Sequence, residues 1–473
     1  MPRKNMTMLE PFEKNGVWWM PDHDNRVPGT LIFDPKKGIT VTLFEQPETE
    51  FTNKNDSRFE IIHGFVDGGL KISLLDCHEY LISTNFLEHG VYSNSRLVAR
   101  QCVIGSHLSN ESRFNNFRLS VHNFSQFMCR TGIHPAKDHD IGYAWDRVDP
   151  IDIEIDGNKI SLTIEVQSPF SLFEYTVSIR EHSTIYIRNK TPASDLDEVI
   201  LGVFNSLKTM LEFSLGYPVP IIQFQAIATD ASGKDEDIEV FYSQSSNINQ
   251  KTENPIQDML FSFCKRSDED IHSLVARWHN FYQKSRFTLD VLLNSGVQGG
   301  GDKHPEQSFF FLIGSLESLH RGYGKKIPSM PEDQFNKIKK IIFSALPHDI
   351  FCNQMRERIG GMNEPSLSQR LNDVLDGMPP LIGDRIICKK VLIKNFVDTR
   401  TLISHHIQKK ESEQNVLYTW HLTQVLWGIT VIYVLQLLDF PSTIIDDIII
   451  SKIKMLNAFN WLEEVSNRPT KTP

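Results

Sequence analysis

The period of the side-chain pattern changes partway along this 473-residue chain, and one layer of structure cannot satisfy both halves. From residue 10 to about residue 190, short runs rich in β-branched and aromatic residues recur, among them GVWWMP, GTLIFD, GITVTLFE, RFEIIHGFV, GLKISLLDC, FRLSVHNF, KISLTIEVQ and STIYIRN. Several alternate apolar and polar residues, which is the period-2 signature of a strand with one buried face. Turn signals such as Asp34-Pro35-Lys36-Lys37-Gly38 and Asp156-Gly157-Asn158 separate them. Short links of this kind join antiparallel neighbours, so the front half is expected to form an antiparallel sandwich or barrel.

From Ser194, read as an N-cap, Leu196, Val199, Ile200, Val203, Leu207 and Leu211 keep helical spacing. Strands return in PIIQFQAIA and IEVFYSQ, and residues 245–255 are polar and aperiodic. A domain boundary is expected there, giving a β-rich domain over 1–250 and an all-α domain over 251–473, an α+β chain overall. In the second half, helical segments are expected near 256–267, 269–294, 306–322, 331–345, 347–359, 366–376, 382–407, 414–438 and 442–465. The run Val425 to Leu438 is the most apolar, but at about 14 residues it falls short of the roughly 20 that cross a bilayer, so a buried core helix is expected.

Charge divides along the same line. Residues 1–250 hold 22 Lys and Arg against 34 Asp and Glu, a net of −12, whereas residues 251–473 hold 27 against 25, a net of +2. Between Arg385 and Lys410, seven basic residues face one acid, Asp398. A polyanion could be held there by Lys389, Lys390, Lys394, Lys409 and Lys410; the competing reading is a solvated helical face. The six cysteines are scattered without a Cys-x-x-Cys pair, and the first residues carry no apolar leader, so a cytoplasmic protein with neither metal site nor cofactor is expected.

Chemistry concentrates in residues 389–410. Read as a helix, Ile393, Phe396, Arg400, Ile403 and Ile407 fall on one stripe, which places a guanidinium on an apolar face. Such a cation needs a carboxylate or an anionic ligand beside it. Thr401 and His405, four residues apart, adjoin it. RNA cleavage without a metal needs groups that move protons to and from oxygen and a cation on the phosphorane-like transition state, which histidine and arginine can supply. Arg-x-x-x-x-His is also common by chance in helices, and a structural Arg–acid pair with a surface histidine is the plainer interpretation of the spacing alone.

The run Asp398-Thr399-Arg400-Thr401-Leu402-Ile403-Ser404-His405-His406 resembles the Arg-x4-6-His signature of HEPN domains, in the Thr-Arg-Asn-x-x-x-His-aromatic form of ApeA-like HEPN domains. It departs from that form twice, with Thr401 at the asparagine and His406 at the aromatic. FFFLIGSLESLHRGYGK (309–325) is similar to the family's earlier helix, where Glu317 matches a glutamate preceding a Leu-His pair. Ala276-Arg277-Trp278 is similar to the opening of the domain, and the GVWWMP and GTLIFD runs to the ApeA N-terminal domain. The resemblance implies an anti-phage effector acting by abortive infection, with a phage component as trigger. It implies a metal-independent endoribonuclease with RNA, tRNA included, as substrate, and two or more protomers sharing a composite site. Arg400, His405 and Thr401 would be catalytic, with Glu317 and His406 supporting them. A non-catalytic HEPN module that binds RNA or protein, and a β-sandwich ligand-binding protein with a structural helical part, are the alternatives.

Overall fold

The computed structural model describes residues 6–21, 23, 25–45, 58–87, 90–135, 143–167, 170–171, 176–177, 179–244, 255–295, 304–324, 328, 330–345, 350–360, 362–404 and 414–467. The chain divides into two compact units, Met1–His279 and Asn280–Pro473. The polar stretch expected to mark the boundary lies, apart from Pro255, outside the described residues. The division falls instead within the continuous helix Asp268–Leu293.

In the first unit, strands β1 (Phe12–Trp19), β2 (Val27–Asp34), β3 (Gly38–Glu45), β4 (Arg58–Val66), β5 (Leu70–Leu87) and β6 (Gly90–Ile104) pair in the order β6-β3-β2-β1-β4-β5. β5 also pairs with β6, from Ile72↔Ile104 to Leu87↔Gly90, so the six strands close into an antiparallel barrel without a free edge. The barrel is one of the two expected architectures. Alternation supplies its interior: Val27, Gly29, Leu31 and Phe33 point inward from β2, and Ile39, Val41 and Leu43 from β3. Trp18 is fully buried and lies across Gly64, where a Cβ would stand 2.3 Å from the indole, so only glycine fits beneath the ring.

β6 continues beyond its pairing with β3. There Glu239–Phe241 takes over opposite Cys102–Ile104, and the sheet runs on through Asp235–Phe241, Ile221–Thr229, Arg113–Val121, Arg180–Arg188, Asn158–Gln167 and Ile151–Ile155. The last two strands are joined by Asp156 (φ 51°) and Gly157 (φ 77°), a two-residue hairpin turn of the kind that needs left-handed backbone at both positions. The helical stretch that follows is capped by Asp195, whose carboxylate accepts from the Asp197 backbone N–H, and not by Ser194. A carboxylate in extended backbone one residue closer to the first turn is the better placed acceptor.

The first unit reaches past the strands. Phe263 hydrogen-bonds through its backbone N–H to Phe127 O, and Trp278, fully buried, donates its indole N–H to Ser206 O at 2.7 Å. Cys77 and Cys102 lie buried in the barrel, where burial pushes both thiols up in pKa.

The second unit is helical. Gln414–Leu437 contains the apolar run up to Leu437 and forms its centre: Leu422, Val425, Leu426, Ile429, Ile432 and Leu435 are all buried. By length and composition, Val416–Leu437 would suffice to cross a membrane, but 67% of its most apolar window is buried inside the fold. Three expected helices are shorter than their patterns suggested. The segment 256–267 is helical only over Pro255–Asp258. The segment 382–407 starts in earnest only at Lys389, because Gly383 ends a single turn begun at Pro380. The segment 442–465 breaks at Lys452, whose backbone is extended.

Candidate active site

Three helices of the second unit build the candidate site: a glutamate helix (Pro305–Tyr323), a capped helix (Leu367–Asp376) and a motif helix (Lys389–Ser404). Pro305 sits in the first turn of the glutamate helix, where its missing N–H costs nothing. Phe309, Leu312, Ile313, Leu316 and Leu319 form that helix's buried stripe. The capped helix starts at a reciprocal capping box, in which Ser366 accepts from the Gln369 N–H while Gln369 accepts from the Ser366 N–H. The motif helix buries Leu392, Ile393 and Phe396, and Phe396 meets Phe309 at 6.1 Å between ring centroids.

Arg400 continues the stripe one turn beyond Phe396, but there the surface opens and its side chain is 44% exposed. Its nearest acid is Glu317, with Arg400 Nη2 3.9 Å from Glu317 Oε2. At that separation the attraction is coulombic, with no hydrogen bond. Glu317 is less exposed and lies closer to Arg321, one turn along its own helix, at 3.0 Å. Arg321 in turn reaches Glu364 at 3.2 Å, and Glu364 meets the buried Arg370 at 3.4 Å. Five charges thus alternate from Arg400 to Arg370, three cations against two anions, and the exposed end of the chain is a guanidinium.

Thr401 Oγ1 donates to Val397 O at 2.8 Å, so its proton is spent on the helix's own backbone and only lone pairs face outward. Lys390 and Lys394 are exposed, whereas Lys389 is held by Asp376. His405, His406, Lys409 and Lys410 lie outside the described residues. Among the described residues, no three His, Cys, Asp or Glu side chains cluster as a metal site would require.

Sequence reasoning reached His320 only as the histidine of the Leu-His pair after Glu317 and missed the residues it meets. His320 is 2% exposed, and its Nε2 lies 2.7 Å from Asp373 Oδ2 on the capped helix. Its Nδ1 is buried without a hydrogen-bond partner. The i, i+4 spacing of Glu317 and Arg321 was a legible hint of part of the network. Nothing in the sequence links Asp373, Glu364 or Arg370 to it, because those contacts cross 43 to 53 residues of chain or run from the capped helix back to the residues that precede it.

Comparison with known proteins agrees with this architecture. A family model described as ApeA N-terminal domain 1 matches residues 13–278, almost the whole first unit. A second, described as Apea-like HEPN, matches residues 312–444, which span all three site helices except the first turns of the glutamate helix. No curated protein and no solved structure matches. With these two models covering more than half of its length in the expected order, the chain belongs to the ApeA-like family of anti-phage HEPN effectors.

Proposed function

We propose that the protein is a metal-independent endoribonuclease that acts in the cytoplasm as an abortive-infection effector. It would cleave RNA, tRNA included, when a phage component engages the N-terminal unit. The observation that carries this reading is the state of Arg400: a guanidinium at the open end of a packed helix, with one acid 3.9 Å away and exposed Lys394 nearby in sequence. A cation so loosely compensated can take a phosphate without first breaking a tight ion pair.

In this mechanism a base removes the proton of a ribose 2′-OH, whose oxygen attacks the adjacent phosphorus. The bond from phosphorus to the 5′ oxygen breaks, and an acid protonates that leaving oxygen. The products are a 2′,3′-cyclic phosphate and a 5′-OH, and no oxidant or metal enters the balance. Arg400 stabilises the charge on the equatorial oxygens, and His405 supplies one of the two proton transfers. A second protomer, related by a two-fold axis, would bring the other histidine to the same phosphate.

Thr401 favours the alternative reading, a HEPN module that binds RNA without cutting it, since its hydroxyl proton is committed to the backbone. Purified protein incubated with total tRNA in EDTA, beside His405→Ala, separates the two. Cleavage that disappears in the variant supports the nuclease, whereas tight binding with intact RNA supports the binding module.

A further inference from the structure

We propose that the groove beside the Glu317–Arg400 pair is a base-recognition subsite for guanine in single-stranded RNA, a reading that rests on the RNA-directed function above. The cavity has a volume of about 490 Å³, within the usual range for a small-molecule site. One wall is the polar stripe of the capped helix, where Gln369, Asn372, Asp373 and Asp376 recur at helical spacing. The other is Lys390 and the buried side chain of Ile393 on the motif helix.

The position relative to Arg400 follows from helix geometry. Ile393 and Arg400 are seven residues apart on the same face of one helix, about 10 Å along its axis at 1.5 Å per residue. His320, which also lines the groove, lies one turn from Glu317. A strand whose phosphate sits on Arg400 therefore reaches the groove with a nucleotide only one or two places away.

The chemistry of the lining selects the base. Asp373 is anchored through Oδ2 to buried His320, and its Oδ1 has no partner among the described residues. The acceptor end of Gln369 is taken by the Ser366 N–H, which leaves its NH₂ free to donate. The Asn372 NH₂ is taken by Asp376, which leaves its carbonyl free to accept. The groove thus offers a fixed carboxylate and a carbonyl beside an amide donor. Guanine alone among the four RNA bases presents two adjacent donors, N1–H and N2–H, next to an acceptor, O6. Two N–H groups on one carboxylate form a charge-assisted bidentate pair, O6 accepts from Gln369, Ile393 packs on the ring, and exposed Lys390 meets the flanking phosphate.

The test uses the full-length protein and fluorescein-labelled 2′-fluoro pentanucleotides, which lack the attacking hydroxyl and cannot be cut. The central base of UUNUU is varied, and binding is followed by fluorescence anisotropy. The expected result is that UUGUU binds at least about tenfold more tightly than the A, C and U versions. Asp373→Asn should reduce that preference to about twofold or less, mainly by weakening UUGUU. Lys390→Ala should weaken all four by similar factors. Equal binding of the four oligonucleotides to the unmodified protein overturns the subsite and leaves the RNA-directed reading standing. Failure of any of the four, and of total tRNA, to bind overturns both. Because the comparison among bases uses the unmodified protein, the result stands even if Asp373→Asn fails to fold.

Discussion

At the residue scale, the central contrast is between two arginines of one charge network. Arg370 is buried and held by Glu364 and by the Pro365 carbonyl, whereas Arg400 is nearly half exposed and touches one acid at 3.9 Å. Exposed ion pairs contribute about 0–1 kcal/mol, so Arg400→Ala should change stability by no more than that while abolishing RNA cleavage and phage protection. Melting curves and a plaque assay check both halves, and a variant that still protects would remove Arg400 from the site. His405→Ala should give the same loss of protection. Glu317→Gln keeps the shape but removes the charge that both Arg321 and Arg400 face. Arg321 retains Glu364, so a severalfold loss of kcat with an unchanged Tm is expected, and a large drop in Tm would instead make Glu317 a structural residue. Glu317 was singled out in the sequence because it matches the glutamate of the family's earlier helix, and because an arginine on an apolar stripe needs an acid. Arg321 escaped notice because a surface i, i+4 pair looks the same whether or not a third helix joins it.

At the level of single elements, the helices around the site are held by features whose costs can be ranked. Phe396 is fully buried against Phe309, and Phe396→Ala should cost roughly 3–5 kcal/mol and detach the motif helix. Ser366→Ala removes one half of a capping box and should cost about 1 kcal/mol, a difference that urea titration would resolve. In the first unit, Glu236 accepts from Lys234 and Lys71 where the Asp235–Phe241 strand pairs beside β6. Those contacts, led by the Lys234 hydrogen bond, lower its pKa to about 2. A carboxylate lowered in the folded state stabilises fully above its unfolded value, and the gain is lost as pH falls through the folded value. Thermal stability should therefore decline between about pH 4.5 and pH 2, and the decline should be shallower in Glu236→Gln. An identical slope in the two proteins would rule this contact out as a contributor.

For the whole molecule, the two compact units set where the chain can be cut. Met259, Leu260, Phe261, Phe263 and Trp278 are buried in the first unit, although they follow the polar stretch that the sequence offers as a boundary. A fragment starting near Asn254 would carry those side chains without the β structure that covers Trp278 and Phe263. We expect it to elute as aggregates in size-exclusion chromatography, whereas residues 1–279 alone should elute as a discrete species and unfold cooperatively. A monodisperse, cooperatively folded 254–473 fragment would show that this packing is dispensable.

The sequence by itself determined the class of each half, the succession of strand runs along the chain and the buried apolar helix at 414–437, because period, turn chemistry and apolar spacing are local properties; the family was legible through the resemblance carried by residues 398–406 and 309–325. Only the tertiary structure decided that β3 pairs with β6 and β1 with β4 to close a barrel, since Ile39↔Ala99 and Gly16↔Val66 join strands that are not consecutive in the chain. It also decided that Arg400 opens to the surface one turn beyond the buried Ile393 and Phe396, and that His320 and Asp373 meet across 53 residues. A helical stripe specifies which face turns inward. How far the covering layer extends, and which side chain of another helix stands opposite, depend on packing between elements that no local pattern encodes.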